Sequence, residues 1–258
     1  MPGLPIDALL PDLRRTLAGA PAAVLQAPPG AGKTTRVPLA LLAAEWLGNK
    51  TIVMLEPRRL AARAAARFMA HSLGEAVGQS VGYRVRLDKK VGPRTRIEVV
   101  TEGLLLRRLQ ADPELSDIGL LVFDEFHERN LHGDLALALA LDVARGLRDD
   151  LRLLVMSASL DPAPLCERLP ATAVDAAGRV HPVTVSHAET DGDPREPVPG
   201  CLGLVARALA ETDGDVLVFL PGRREIAALI EAVTAWREPS GLVALPLHGE
   251  LDVAAQDL

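Results

Sequence analysis

The chain has 258 residues, 48% of them apolar and only 3% aromatic, which suits one large or two smaller domains with an aliphatic core and excludes a disordered chain. A net charge of −6 and a pI near 5.6 exclude a surface that is basic all over, so any contact with nucleic acid must come from a local patch. Cys166 and Cys201 lie far apart, which argues against a disulfide framework or a CxxC zinc site and fits a reducing, cytoplasmic compartment.

Residues 1–17 intersperse Asp7, Asp12, Arg14 and Arg15 among apolar positions, so neither a signal peptide nor a membrane span is expected there. Short apolar runs then recur at Val24–Gln26, Ile52–Leu55, Ile97–Val100, Leu120–Phe123, Leu153–Met156, Val216–Leu220 and Leu242–Leu247. Segments with helical spacing, such as Leu60–Leu73 and Leu131–Leu147, lie between most of them. Runs this short are strands rather than helices, and unbroken apolar strands are covered on both faces. The expected fold class is therefore α/β with a parallel sheet. From Ala171 to Gly200 the chain becomes rich in Pro, Gly and acid, which reads as a linker with one possible strand at Val183–Val185. The expected domain boundary falls near Val174.

The first apolar run leads into Ala27-Pro28-Pro29-Gly30-Ala31-Gly32-Lys33-Thr34-Thr35 and then a helical stretch. This is the phosphate-binding loop pattern, with Ala27 where its first glycine stands. Gly30 and Gly32 let successive N–H groups curl toward phosphate oxygens, Pro29, Ala31 and Thr35 complete the cradle, and the following helix presents its positive end. Lys33 reaches the β and γ phosphates, and the Thr34 hydroxyl ligates Mg²⁺. The alternative is a glycine turn that happens to precede Lys-Thr. The expected ligand is ATP with Mg²⁺.

The run Leu120–Phe123 ends in Asp124-Glu125-Phe126-His127. A strand that delivers two carboxylates to the carboxyl edge of a sheet can hold the metal with Asp124 and polarise the attacking water with Glu125. Alone, such a pair would as readily open a solvated helix. The phosphate loop upstream favours the catalytic reading.

These residues resemble the DEAH box of the superfamily 2 helicases, with Phe126 where that family usually has Ala. The likeness extends through Glu56-Pro57-Arg58-Arg59, Thr101-Glu102-Gly103, Ser157-Ala158-Ser159 (Ser159 in place of Thr), Val218–Ile226 and Leu247–Leu251. Within the family it is strongest to the bacterial HrpB type of ATP-dependent RNA helicase. The resemblance implies a RecA-like ATP-binding domain over residues 1–173, a linker over 174–200 and the start of a second RecA-like domain over 201–258. It implies contact with single-stranded nucleic acid, RNA foremost, through Arg58, Arg59, Thr101 and Gly103. It also implies that His127 couples the ATP site to Ser157 and Ser159, against the alternative of a packed structural histidine.

Arg59, Arg63 and Arg67 recur every four residues and would form a basic stripe, or else a solvated helix face; Arg107 and Arg108 read as exposed charge. The family's later arginine-bearing motif does not occur in these residues, so the expectation for this fragment is ATP binding with weak hydrolysis and no unwinding. Two other classes compete with the helicase-type ATPase. A small-molecule kinase would need an acceptor site and a lid, and no such segment is evident. A nucleotide-gated scaffold is opposed by the intact Lys33, Thr34, Asp124 and Glu125.

Overall fold

The computed structural model describes residues 3–175, 182–188, 198–236, 241–248 and 251. The chain forms two compact units, Met1–His181 and Pro182–Leu258. The first is built on an eight-stranded sheet. Its strands are β1 (Ala22–Gln26), β2 (Thr51–Leu55), β3 (Val81–Val85), β4 (Asp88–Lys90), β5 (Ile97–Val100), β6 (Ile118–Phe123), β7 (Arg152–Ser157) and β8 (Thr172–Asp175). Their order is β4-β3-β5-β2-β6-β7-β1-β8, and every pairing is parallel except the β3–β4 hairpin.

Helices α1 (Leu10–Gly19), α2 (Lys33–Leu41), α3 (Arg59–Ser72), α4 (Glu102–Ala111), α5 (Leu131–Gly146) and α6 (Ala163–Arg168) complete the unit. Side chains alternate across each strand, so β2 sends Ile52 and Met54 to one face and Val53 and Leu55 to the other. The first set packs with Leu13, Leu17, Val37, Leu41, Ala62 and Met69 of α1, α2 and α3. The second packs with Leu105, Leu109, Ala136, Leu137 and Ala140 of α4 and α5. Both faces are dry, as the continuous apolar runs require. The α/β fold with a parallel sheet is thus as expected.

The boundary expected after residue 173 falls inside β8, which pairs with β1 and keeps residues 172–175 in the first unit. Residues 176–181 and 189–197 of the expected linker lie outside the described residues. In the second unit α7 (Val198–Glu211) and α8 (Arg223–Thr234) pack on each other. The strands expected at Val183–Val185, Val216–Leu220 and Leu242–Leu247 do not form. Among the described residues they have no ladder partner. Several of their large apolar side chains stay in solvent, with Leu217 69%, Phe219 87% and Leu247 62% exposed, while Val216, Val218 and Leu220 are half-buried. An apolar run becomes a strand only when a neighbour takes its backbone groups.

Candidate nucleotide site

Parallel pairing puts the carboxyl ends of β1, β7, β6, β2 and β5 side by side on one edge. The segments leaving those ends are, in the same order, Ala27–Thr35, Ser157–Ser159, Asp124–His127, Glu56–Arg59 and Thr101–Gly103. Residues far apart in the chain therefore share one edge, where open α/β sheets bind ligands.

In the phosphate loop Gly30 and Gly32 hold φ of +75° and +94°, conformations that side chains resist. Ala27 is fully buried and donates its N–H to the Ser157 carbonyl at 3.0 Å, tying the loop to β7. The loop is also roofed by the N-terminal segment. Ile6 N–H donates to the Ala31 carbonyl at 3.3 Å, and Asp7 Oδ2 accepts from Arg36 at 3.1 Å. Pro29 and Gly30 are exposed, whereas Thr34 and Thr35 are half-buried at the start of α2. A Cβ on Gly32 would lie 2.6 Å from Leu4 Cδ1 and 3.3 Å from Ile6 Cγ2. Gly32→Ala is therefore expected to carry strain of about 1–3 kcal/mol and to lose ATP affinity tenfold or more. A nucleotide titration checks this, and parental affinity in the variant contradicts it.

The buried Lys33 Nζ lies 3.3 Å from Glu125 Oε1. Asp124 is also buried; its Oδ1 accepts from Glu125 N–H at 2.8 Å, while its Oδ2 is buried without a partner. Burial pushes the Asp124 carboxyl up to about 6, and the Glu125 charge adds to this, while a hydrogen bond from Thr34 and the Lys33 ammonium oppose it. Glu125 sits at φ +48°, in the left-handed region where a non-glycine residue is strained. The turn that follows, Phe126–Glu128, carries His127 toward β7. Ala158 N–H donates to His127 Nδ1 at 3.5 Å, and Glu125 Oε2 lies 3.3 Å from the same nitrogen. That nitrogen can accept from the first or donate to the second, so the two contacts are alternatives. Ser157 Oγ accepts from Ser159 N–H at 3.3 Å and Leu160 N–H at 3.0 Å, shaping the turn; Ser159 itself is exposed.

Sequence reasoning missed Glu56, the buried residue that ends β2 as Asp124 ends β6. The same signal, an apolar run closed by a carboxylate, marks both. Burial pushes its carboxyl up to about 8, reinforced by the charges of Asp124, Glu125 and Glu128 and opposed by a hydrogen bond from Arg58 N–H. Between 4.5 and about 8 the folded chain holds a proton there that the unfolded chain has lost, so stability falls as pH rises through that window. Glu56→Gln removes that dependence. Melting curves from about pH 5 to pH 9 should show a shallower decline in the variant; equal slopes would exclude Glu56 as the cause.

Arg58 is 72% exposed and pairs with Glu128 Oε1 at 2.8 Å. Arg59 is exposed at the start of α3, Thr101 stands at the N-cap position of α4 with no side-chain capping bond, and Gly103 is exposed with nothing within 4 Å of an added Cβ. The turn after the carboxylate pair reaches α4 as well. Asn130 Nδ2 donates to Glu102 Oε1 at 2.6 Å, and its Oδ1 caps α5 by accepting from Gly133 N–H at 2.9 Å. The expected arginine stripe does not stand free. Arg63 is half-buried and held by Asp88 at 2.9 Å in the β3–β4 hairpin. Nor is Arg108 simple exposed charge: it bridges Glu98 at 3.2 Å and Asp117 at 2.6 Å. Among the described residues, no three His, Cys, Asp or Glu side chains group as a metal cage.

A family model described as DEAD/DEAH box helicase matches residues 13–166. The ATP-dependent RNA helicase HrpB of Escherichia coli K12 is 48% identical over 257 residues, covering 99% of this chain and 31% of that protein. The HrpA homolog of Haemophilus influenzae, also an ATP-dependent RNA helicase, is 32% identical over 256 residues, covering 98% of this chain and 20% of its own length. The crystal structure of the E. coli DEAH/RHA helicase HrpB superposes with a TM-score of 0.88 at 47% identity, covering 98% of this chain and 32% of that one. The chain thus spans less than a third of the length of these relatives.

Proposed function

This chain belongs to the DEAD/DEAH box helicase family, and from that premise we propose that it is the ATP-binding part of a nucleic-acid-dependent nucleoside triphosphatase that moves along single strands. The observation that carries the reading is the meeting of Lys33 and Glu125 at 3.3 Å, with Asp124 beside them, on the edge that also carries Arg58, Arg59, Thr101 and Gly103.

ATP would lie on the loop Pro29–Thr35, its phosphates taken by backbone N–H groups and the Lys33 ammonium. Lys33 then exchanges Glu125 for phosphate oxygens, which frees the Glu125 carboxylate. Glu125 orients the attacking water and accepts its proton. The raised Asp124 carboxyl and its partnerless Oδ2 fit a hard divalent cation bound through oxygen, and Thr34 supplies the second donor. Mg²⁺ held by Thr34 and Asp124 would neutralise charge on the transferring phosphoryl group. Two protein donors suit an ion shared with the nucleotide better than an all-protein cage.

His127 stands between Glu125 and the Ser157–Ser159 turn and can report one to the other through its choice of partner. Contacts to phosphate and sugar by Arg58, Arg59, Thr101 and Gly103 carry no base preference, which suits movement along a strand. RNA is preferred over DNA because the relatives are named RNA helicases. The residues from α7 onward would open the second RecA-like domain, after a linker that starts beyond β8. A cytoplasmic setting fits two free, half-buried cysteines.

A kinase reading would need an acceptor site of its own, and the relatives are named helicases rather than kinases. Phosphate release from a protein that carries this chain at its relatives' length, with and without single-stranded RNA, separates the classes. Stimulation by RNA supports the proposal, whereas transfer of phosphate to a small acceptor overturns it.

A further inference from the structure

Arg58 and Glu128 face each other across two segments whose separate tasks, in the reading above, are holding nucleic acid and shaping the carboxylate turn. Their ion pair at 2.8 Å is largely exposed on the Arg58 side, so it contributes little to the stability of the fold. A contact that adds little stability is readily exchanged. Glu128 nevertheless occupies the guanidinium that a nucleic-acid phosphate would need, and it sets a negative charge where that phosphate would come. The turn bearing Glu128 begins at Glu125, strained at φ +48°, and ends at Arg129, strained at φ +41°. Arg129 is itself clamped to Asp134 at 3.0 and 2.7 Å, and Asn130 to Glu102 at 2.6 Å. The far end of the turn is therefore fixed, and Glu128 is its outward charge between that anchor and the carboxylate pair.

We propose that Glu128 is a positioning residue that competes with nucleic acid for Arg58: it holds the guanidinium while the strand is absent and yields it to a backbone phosphate on binding. The inference rests on Arg58 touching nucleic acid, as the proposed function has it. Glu128 is then an internal stand-in for phosphate, and single-strand affinity is set partly by how firmly this carboxylate keeps its partner. The exchange substitutes one charge-assisted contact for another, with no change in the count of hydrogen bonds at Arg58.

The test is the binding of a fluorescent single-stranded RNA oligonucleotide to the 258-residue chain at several salt concentrations, for the parent, Glu128→Gln, Arg58→Ala and the double variant. Glu128→Gln is expected to tighten binding about threefold, the scale of an exposed ion pair, with its melting temperature essentially unchanged. Arg58→Ala should weaken binding and lower the salt slope by about one. In the Arg58→Ala background Glu128→Gln should have no effect, because the competition is gone. Equal tightening in both backgrounds would mean only relief of general repulsion and would overturn the proposal. So would Glu128→Gln binding as the parent does while Arg58→Ala still weakens binding; that result leaves the nucleic-acid reading standing. If Arg58→Ala changes neither affinity nor salt slope, the contact reading fails and the competition falls with it.

Discussion

Replacing Lys33 by alanine is expected to lower ATP affinity of the chain by about 30-fold or more, since truncating one member of a buried charged contact costs about 2–5 kcal/mol. Lys33 is 4% exposed, and the protein shields it with its own carboxylate, Glu125, at 3.3 Å. A nucleotide's phosphates would inherit that place. In the variant, Asp124 and Glu125 face each other with no cation between them, and burial already holds the Asp124 carboxyl up near 6. The site then repels a triphosphate where it had attracted one. Calorimetric titration with ATP and magnesium measures the change, with a melting curve to show that the fold persists. Binding within about threefold of the parent, less than 1 kcal/mol, would remove Lys33 from the phosphate site.

Glu125→Gln should act on the other half of the chemistry. The variant is expected to bind ATP as the parent does yet hydrolyse it about 10²–10⁴-fold more slowly, the range that one positioned general base supplies. Gln keeps the length of the side chain and the strained backbone at φ +48°, so the turn need not rearrange. What it loses is the ability to accept a proton and the charge that pairs with Lys33. Single-turnover hydrolysis with protein in excess makes even a slow parent rate readable. A variant as fast as the parent would assign the base elsewhere.

Much of this site was legible in the sequence because its signals are local. A glycine turn followed by Lys33-Thr34, and a strand closed by Asp124-Glu125, each carry their chemistry within a few residues. The parallel sheet then supplies what no local signal contains, the neighbouring strand ends that set Lys33 beside Glu125. The β3–β4 hairpin was not legible. Arg84, Arg86, Lys89 and Lys90 put charge where a strand signal would be apolar, and its strand character comes from pairing with β5 and from Asp88, which engages Tyr83 and the distant Arg63. Long-range ion pairs of this kind turned the expected arginine stripe into a partly consumed one. The opposite error arose at Val216–Leu220 and Leu242–Leu247, where apolar runs promised strands and the described residues offer no partner. Pattern specifies which face a segment would bury; pairing decides whether a ladder exists.

If the proposed site is right, the loop after β1 and the carboxylates after β6 together enclose one magnesium-bound triphosphate. Titration of the 258-residue chain with ATP, once with magnesium and once with the ion chelated, addresses it directly. The expected result is saturable binding of one nucleotide with magnesium, weakened when the ion is withdrawn and weakened likewise by Asp124→Asn. No binding under either condition, or an affinity indifferent to both magnesium and Asp124, would contradict it.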